Sequence, residues 1–397
     1  MDLAEMQALD RQYLMPTYAR YPIALERGEG TRVWDVNGKE YLDFLGGIAV
    51  NVLGHAHPAV VAAIREQAGR LLHTSNLYYT RPMLELAQLL VDNGGLGRAF
   101  FCNSGAEANE GAFKLARKYH WRRGDRARTR ILSVTHAFHG RTFGALAATP
   151  KPEIQEGFGP LPPGFEAVEW GRADALAERL DGTVAAVIIE PVQGESGIHP
   201  ADPAYLRAVA DLTREHGALL IFDEIQCGMG RTGTFYAYQG YGVRPDILTL
   251  AKGLGGGLPI GAILATPEVA SGFAPGDHGS TFGANPVACA AAVATVRTIL
   301  RENLPARAAE LGDYLLGRLR ELAARWPDRV REVRGRGLMA ALELGEHARR
   351  VLDGCHARGL LANVTAGTAL RLLPPLTVTR EEIDRAVEIL SDAIAGV

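Results

Sequence analysis

Short apolar runs alternate with longer amphipathic stretches along most of this chain. The rhythm is strongest from residue 98 to residue 265. Residues 99–102 predict a short strand and 130–134 another. Between them, 106–120 predict a helix with small or apolar residues at Ala108, Ala112, Leu115 and Ala116. Residues 184–189 and 218–222 are unbroken apolar runs, the pattern of strands buried on both faces. A helix is expected at 203–216, and further strands at 247–250 and 260–265. Strand alternating with helix predicts an α/β fold, a mostly parallel sheet with helices on both faces.

The ends of the chain read differently. Residues 1 to about 20 predict a short helix leading into a loop. Residues 32–44 predict a hairpin about Asn37-Gly38, a strong local turn signal. Pro58 opens a helix expected over 59–72. Past Asn285, long Ala/Leu/Arg helices run through Leu300 and again over 306–324. Strand-like pieces follow at 337–344 and 369–373, then a helix over 380–395. This reads as a smaller α+β C-terminal domain. The expected organisation is an N-terminal segment 1–58, a large domain 59–288 and a small domain 289–397, in keeping with 397 residues.

Composition adds exclusions. The net charge of −3, with 47% hydrophobic and 22% charged residues, describes an ordinary soluble globular protein and favours neither nucleic acid nor a membrane surface as partner. The first residues, Met1-Asp2-Leu3-Ala4-Glu5, lack the basic-then-apolar pattern of a signal peptide. No apolar run approaches the ~18 residues of a membrane span. Cys102, Cys227, Cys289 and Cys355 are far apart, as expected of free thiols in a reducing cytoplasm. His55-Ala56-His57-Pro58 lacks a third ligand nearby, so helix entry explains it better than a metal, and no metal is expected.

The chemistry-bearing residues stand at the ends of the predicted strands, where open parallel sheets bind ligands. Lys252 ends an apolar strand and is followed by Gly253, Gly255, Gly256 and Gly257. Desolvation there would make its amine a better nucleophile towards carbonyls. Ser104-Gly105-Ala106 lies between a strand and a helix start, a turn suited to a phosphate, or simply to an N-cap serine. Asp223 ends a buried strand and needs a partner, either a structural cation or a protonated heteroaromatic nitrogen. Gly228-Met229-Gly230-Arg231-Thr232-Gly233 fits GxGxxG, but the aromatic, glycine-rich stretch after it is no helix, which argues against a dinucleotide. A phosphate turn, a strand-end acid and a strand-end lysine together suit an aldehyde on a phosphorylated pyridine ring, pyridoxal phosphate.

With those residues in view, the chain resembles the class III, fold-type I pyridoxal-phosphate aminotransferases over nearly its whole length. The likeness is carried by the ordered series Asn103-Ser104-Gly105-Ala106-Glu107-Ala108-Asn109, Ala137-Phe138-His139-Gly140-Arg141-Thr142, Glu190-Pro191-Val192-Gln193-Gly194-Glu195, Phe222-Asp223-Glu224-Ile225-Gln226, Met229-Gly230-Arg231-Thr232-Gly233, Lys252 and His278-Gly279-Ser280-Thr281-Phe282. Ser75-Asn76-Leu77-Tyr78-Tyr79 looks like the acetylornithine branch. The resemblance implies that Lys252 carries the cofactor's aldehyde and that Asp223 keeps its ring nitrogen protonated. Phe138 would stack on the ring, Gln226 would bond the ring hydroxyl, and Ser104, Gly105 and Ala106 would hold the phosphate. Thr281, with Ser280, would reach the phosphate of a neighbouring subunit's cofactor, which implies a homodimer with shared sites. Arg141 would bind a substrate carboxylate and Arg371 a second one, with Glu195 neutralising Arg371 when the substrate is uncharged at that end.

The implied substrates are N-acetylornithine and 2-oxoglutarate, with glutamate as a product. Ornithine, 4-aminobutyrate, succinyl-diaminopimelate and carrier-bound lysine-pathway amines are the alternatives. Tyr18 aligns with a tyrosine that helps ornithine aminotransferases hold the α-carboxylate, and Ile48 stands where those enzymes carry a second tyrosine, which argues for an acylated amine. Ser196, Cys227 and Ala366-Gly367-Thr368 depart from the usual pattern without removing a catalytic group.

Overall fold

The computed structural model describes residues 1–94 and 96–397. Its centre is a seven-stranded sheet whose strands run in the order Arg98–Cys102, Gly261–Ala265, Ile247–Leu250, Leu219–Asp223, Val184–Ile189, Arg130–Val134, Phe165–Val168. Six strands are mutually parallel. Gly261–Ala265 runs against both of its neighbours, a reversal that the apolar pattern alone does not encode. Val184–Ile189, Leu219–Asp223 and Ile247–Leu250 are buried at every position. Helices such as Gly105–Arg122 and Pro203–His216 cover the sheet, so these strands have no solvent face to alternate towards.

The C-terminal region folds around an antiparallel sheet in the order Glu332–Arg336, Met339–Glu343, Ala369–Leu372, Asn363–Thr365. The stretch expected as one strand at 337–344 is thus the second arm of a hairpin, turned at Gly337, where φ is +57°. Leu304–Arg325, Ala348–Ala357 and Arg380–Ala395 flank this sheet. The last begins at Thr379 with a capping box closed by Glu382, as its acidic first turn suggests. The N-terminal hairpin does not stand alone. Leu25–Glu29, Arg32–Asp35 and Glu40–Asp43 form a sheet completed by Leu360–Leu361 from the far end of the chain. Among the described residues no helix is long and apolar enough to cross a membrane.

Candidate active site

The parallel order brings the carboxyl ends of several strands to one edge of the central sheet. Cys102 leads into Ser104, Ile189 into Glu190, Leu250 into Lys252, and Asp223 closes its own strand. They line a cavity of about 490 Å³, together with Phe138, Arg141, Glu195 and Gln226. Ser104 caps the helix Gly105–Arg122, its hydroxyl accepting from Glu107 N at 3.2 Å. The N–H groups of Gly105 and Ala106 find no protein acceptor among the described residues and lie at the cavity wall, where the helix dipole favours an anion.

Asp223 is buried at the floor. Its Oδ2 accepts from Asn109 Nδ2 and His139 Nδ1, each at 2.8 Å, while Oδ1 accepts from Ile225 N at 3.0 Å. Asn109 is itself oriented by Thr249, whose hydroxyl donates to its Oδ1 at 2.8 Å. These bonds fix the carboxylate and leave acceptor capacity at Oδ1 for one more donor from the cavity. Glu190, beside it, accepts from Phe138 N at 3.0 Å and Gly194 N at 3.2 Å. Burial pushes its carboxyl up to about 7, with His139 opposing and the charge of Asp223 adding.

Lys252 is half-buried, and its ammonium makes no hydrogen bond or ion pair with the described residues. Loss of water pulls it below the ordinary lysine range; Glu195 opposes and Arg371 adds to the shift. Its φ is +43°, and Gly253 follows because a Cβ there would meet Val52 Cγ1 at 2.5 Å.

Arg371 lies fully buried behind Glu195. It donates to Glu195 Oε1 at 2.6 Å, Gly194 O at 3.1 Å and Gln226 Oε1 at 3.2 Å, and its Nε donates to Asn363 Oδ1 at 3.1 Å. The Nη2 group of Arg371 is buried without an acceptor among the described residues. Burial works against the charge on Glu195, but Arg371, then Lys252, and the bonds from Arg371 and Gln226 outweigh it and hold the carboxyl at about 2.

The structure gathers Ser104, Gly105, Ala106, Phe138, Arg141, Glu195, Asp223, Gln226 and Lys252 at the cavity, with Arg371 one layer behind. Arg141 is exposed at the mouth, its guanidinium carbon 5.9 Å from the Phe138 ring centroid. The remaining expected residues do not line this chain's cavity. Tyr18 is 75% exposed under Arg20. Ile48 is exposed on a turn in which Gly46, Gly47, Ile48 and Ala49 all have positive φ, and Val50 lines the wall instead. Thr281 is exposed, and the hydroxyl of Ser280 accepts from Asn103 Nδ2 at 3.1 Å and Gly283 N at 3.0 Å.

Ser196, next to Glu195, donates to Gln193 Oε1 at 3.2 Å, and Cys227 is buried with Sγ 3.8 Å from Asp223 O. Sequence reasoning gave no role to Glu190, Asn109, His139 or Thr249. Glu190 carried the same signal as Asp223, an acid directly after an apolar strand, whereas the other three reveal themselves only through partners far away in the chain.

Pyridoxal phosphate fits these residues. The free N–H groups at a helix start receive a phosphate, the fixed carboxylate receives a ring N–H, and the unpartnered desolvated amine receives an aldehyde.

The family described as aminotransferase class III matches residues 13–394. The acetylornithine aminotransferase of Methanocaldococcus jannaschii is 50% identical over 389 residues, covering 98% of each chain. That of Aquifex aeolicus is 46% identical over 383 residues, covering 96% of this chain and all of its own. The solved ornithine aminotransferase of Toxoplasma gondii ME49 superposes with a TM-score of 0.96 at 36% identity, over 100% of this chain and 96% of the other. The acetylornithine aminotransferase of Elizabethkingia anophelis superposes at 0.90 with 34% identity and full coverage of both.

Proposed function

The chain belongs to the class III aminotransferases, and on that premise we propose that it moves the δ-amino group of N-acetylornithine to 2-oxoglutarate. The products are N-acetylglutamate 5-semialdehyde and glutamate, which places the reaction in arginine biosynthesis. Pyridoxal phosphate is the cofactor; when bound it supplies an aldehyde to receive the amino group and a ring that withdraws the electron pair of the broken C–H bond.

This chain's residues do the rest. The Ser104-Gly105-Ala106 turn would hold the phosphate, Phe138 would cover the ring face, and Gln226 would bond the ring hydroxyl. Asp223, held by Asn109 and His139, keeps the proton on the ring nitrogen. Lys252 would hold the aldehyde, and its amine, whose proton affinity burial has lowered, would take the proton from the substrate's δ-carbon. Arg141 binds a carboxylate in the forked geometry that guanidinium allows.

The observation that carries the substrate assignment is the Arg371–Glu195 pair, closed at 2.6 Å. Closed, it presents no free cation to the δ-carbon end of N-acetylornithine, which bears no carboxylate, and leaves the α-carboxylate beside the acylated amine to Arg141. Opened, it releases Arg371 for the second carboxylate of 2-oxoglutarate. The experiment loads the protein with cofactor and follows its visible absorption as N-acetylornithine, ornithine, succinyl-diaminopimelate or 4-aminobutyrate is added. Fast bleaching by N-acetylornithine and slow bleaching by ornithine are expected. The reverse preference would keep the reaction type and overturn the substrate.

The working unit in this reading is a homodimer. The helix Leu3–Tyr13 buries none of its side chains, and Leu77, Tyr78 and Tyr79 are 82%, 69% and 90% exposed, an apolar surface that a second copy would cover. Thr281 and Ser280 would then reach the partner's phosphate. Four free, buried cysteines support residence in the reducing cytoplasm.

A further inference from the structure

The glycine-rich stretch 228–233, whose spacing fits a dinucleotide motif but which is followed by turns rather than an α-helix, has no part in the reaction described above. Its conformation shows what the glycines do. Met229, Gly230 and Gly233 have φ of +55°, +88° and +103°. A Cβ on Gly230 would stand 3.0 Å from Leu376 Cδ1, and one on Gly233 would stand 3.1 Å from Ala309 Cβ. The loop is wedged between the segment that follows Arg371 and the helix Leu304–Arg325, and the wedge delivers Arg231 into the interior.

Arg231 is 1% exposed. No carboxylate lies within ion-pair distance among the described residues, and burial pulls its guanidinium down to about 9, so it is still charged at neutral pH. One Nη donates to two backbone carbonyls, Leu338 O at 3.0 Å and Pro374 O, while Nε and the other Nη are buried without partners among the described residues. The backbone carbonyl of Arg231 in turn accepts from Leu338 N at 3.0 Å. An unpaired buried charge with unused donors is costly, and an apolar side chain of similar volume would hold the fold at less expense. What the guanidinium does that an apolar group cannot is grip carbonyls.

The position of Pro374 gives that grip a consequence. The strand Ala369–Leu372 is held by its ladder as far as Leu372. Beyond it the chain is tied on one side by Leu373 N to Phe44 O at 2.5 Å and Leu376 N to Val52 O at 2.8 Å. Arg231 ties the other side, at a residue that has no N–H of its own, three positions after Arg371.

We propose that Arg231 is a positioning residue for Arg371, anchoring the end of its strand so that the Arg371 guanidinium stands where the second carboxylate of 2-oxoglutarate must bind. This rests on the reading of Arg371 as carboxylate receptor given above. Arg231 touches neither substrate nor cofactor. Its effect falls on the dicarboxylate half-reaction, because in the acylated-amine half-reaction Arg371 stays paired with Glu195.

The test compares the cofactor-loaded enzyme with Arg231→Met, Arg231→Lys and Arg371→Gln. Each half-reaction is followed by visible absorption, and thermal unfolding is recorded in parallel. Arg231→Met is expected to raise half-saturation by 2-oxoglutarate about tenfold or more, the loss of a charge-assisted bond. Half-saturation and limiting rate with N-acetylornithine should stay within about twofold. Arg231→Lys, which can reach one carbonyl with a charge, should fall between. Equal losses in both half-reactions, no loss in either, or failure of both Arg231 variants to fold with cofactor would each overturn the proposal and leave Arg231 a stability residue. Arg371→Gln separates the two levels. If it leaves 2-oxoglutarate binding intact, the role of Arg371 itself is wrong; if it weakens that binding while Arg231→Met does not, only the positioning role fails.

Discussion

The floor and the rim of the cavity are built on opposite plans. At the floor every carboxyl group is answered from within the chain, Asp223 by Asn109 and His139, Glu195 by Arg371, and Glu190 by two backbone N–H groups, and the Lys252 amine is left for a ligand. At the rim Arg141 stands in solvent, and beyond the cavity wall Tyr18, Ile48 and Thr281 are exposed as well, with Phe282 60% exposed. Buried charge is costly unless paired, so the floor must be complete before anything binds. Exposed recognition groups carry no such requirement and can be finished by another surface. In the homodimer proposed above, the chemistry would lie in one chain and part of the recognition in the meeting of two.

The largest expected effects break the floor. Lys252→Ala should abolish turnover with cofactor present; appreciable residual turnover would remove Lys252 from the mechanism. Asp223→Asn should still take up cofactor, since the pocket keeps its shape, yet lose about 10²-fold or more in rate, because an amide cannot hold a proton on the ring nitrogen. Near-normal rates at full cofactor occupancy would refute that role.

A smaller effect tests the rim. Sedimentation should give a particle of twice the 42.6 kDa chain mass. Thr281→Ala should weaken cofactor retention about tenfold, the worth of one hydrogen bond to a charged phosphate, and leave the floor's spectrum unchanged. A fully active monomer would erase the distinction between floor and rim.

The same contrast explains what could be read along the chain. The buried strands announced themselves as unbroken apolar runs, and Lys252, Asp223 and Ser104 followed because each ends such a run or opens the next helix. The antiparallel course of Gly261–Ala265 was not legible, since a strand buried on both faces looks the same in either direction. Nor was the pairing of Leu360–Leu361 with the strand Glu40–Asp43, a two-residue strand joined across most of the chain. Arg371, Arg141 and Glu195 came from family likeness; nothing local separates them from other charged residues. Asn109 and Thr249 stayed hidden because a helix asparagine and a strand threonine gain meaning only when 140 positions of chain bring them together. The strain at Ile48 was equally invisible, because a β-branched residue is the last type that local preference would place at φ +65°.

The subtlest prediction separates two carboxyls at the floor by the sign of their pH dependence. Glu195 is held at about 2, below its ordinary 4.5. Its contribution to stability is therefore present above pH 4.5 and lost as pH falls towards 2. Glu190 is pushed the other way, from 4.5 up to about 7. Below pH 4.5 it is protonated in both folded and unfolded chains and adds no pH dependence. Between 4.5 and 7 the unfolded chain has released the proton while the folded chain keeps it, so stability falls as pH rises; above 7 both have released it and the loss is constant. Glu190→Gln cannot ionise. It gives up at most one of the bonds from Phe138 and Gly194, an offset independent of pH. The melting temperature of the variant minus that of the wild type should therefore climb from pH 4.5 to 7 and then level off. A difference that fell over the same range would mean that Glu190 is ionised and paired in the folded protein, and the floor would then hold its acids by one device rather than two.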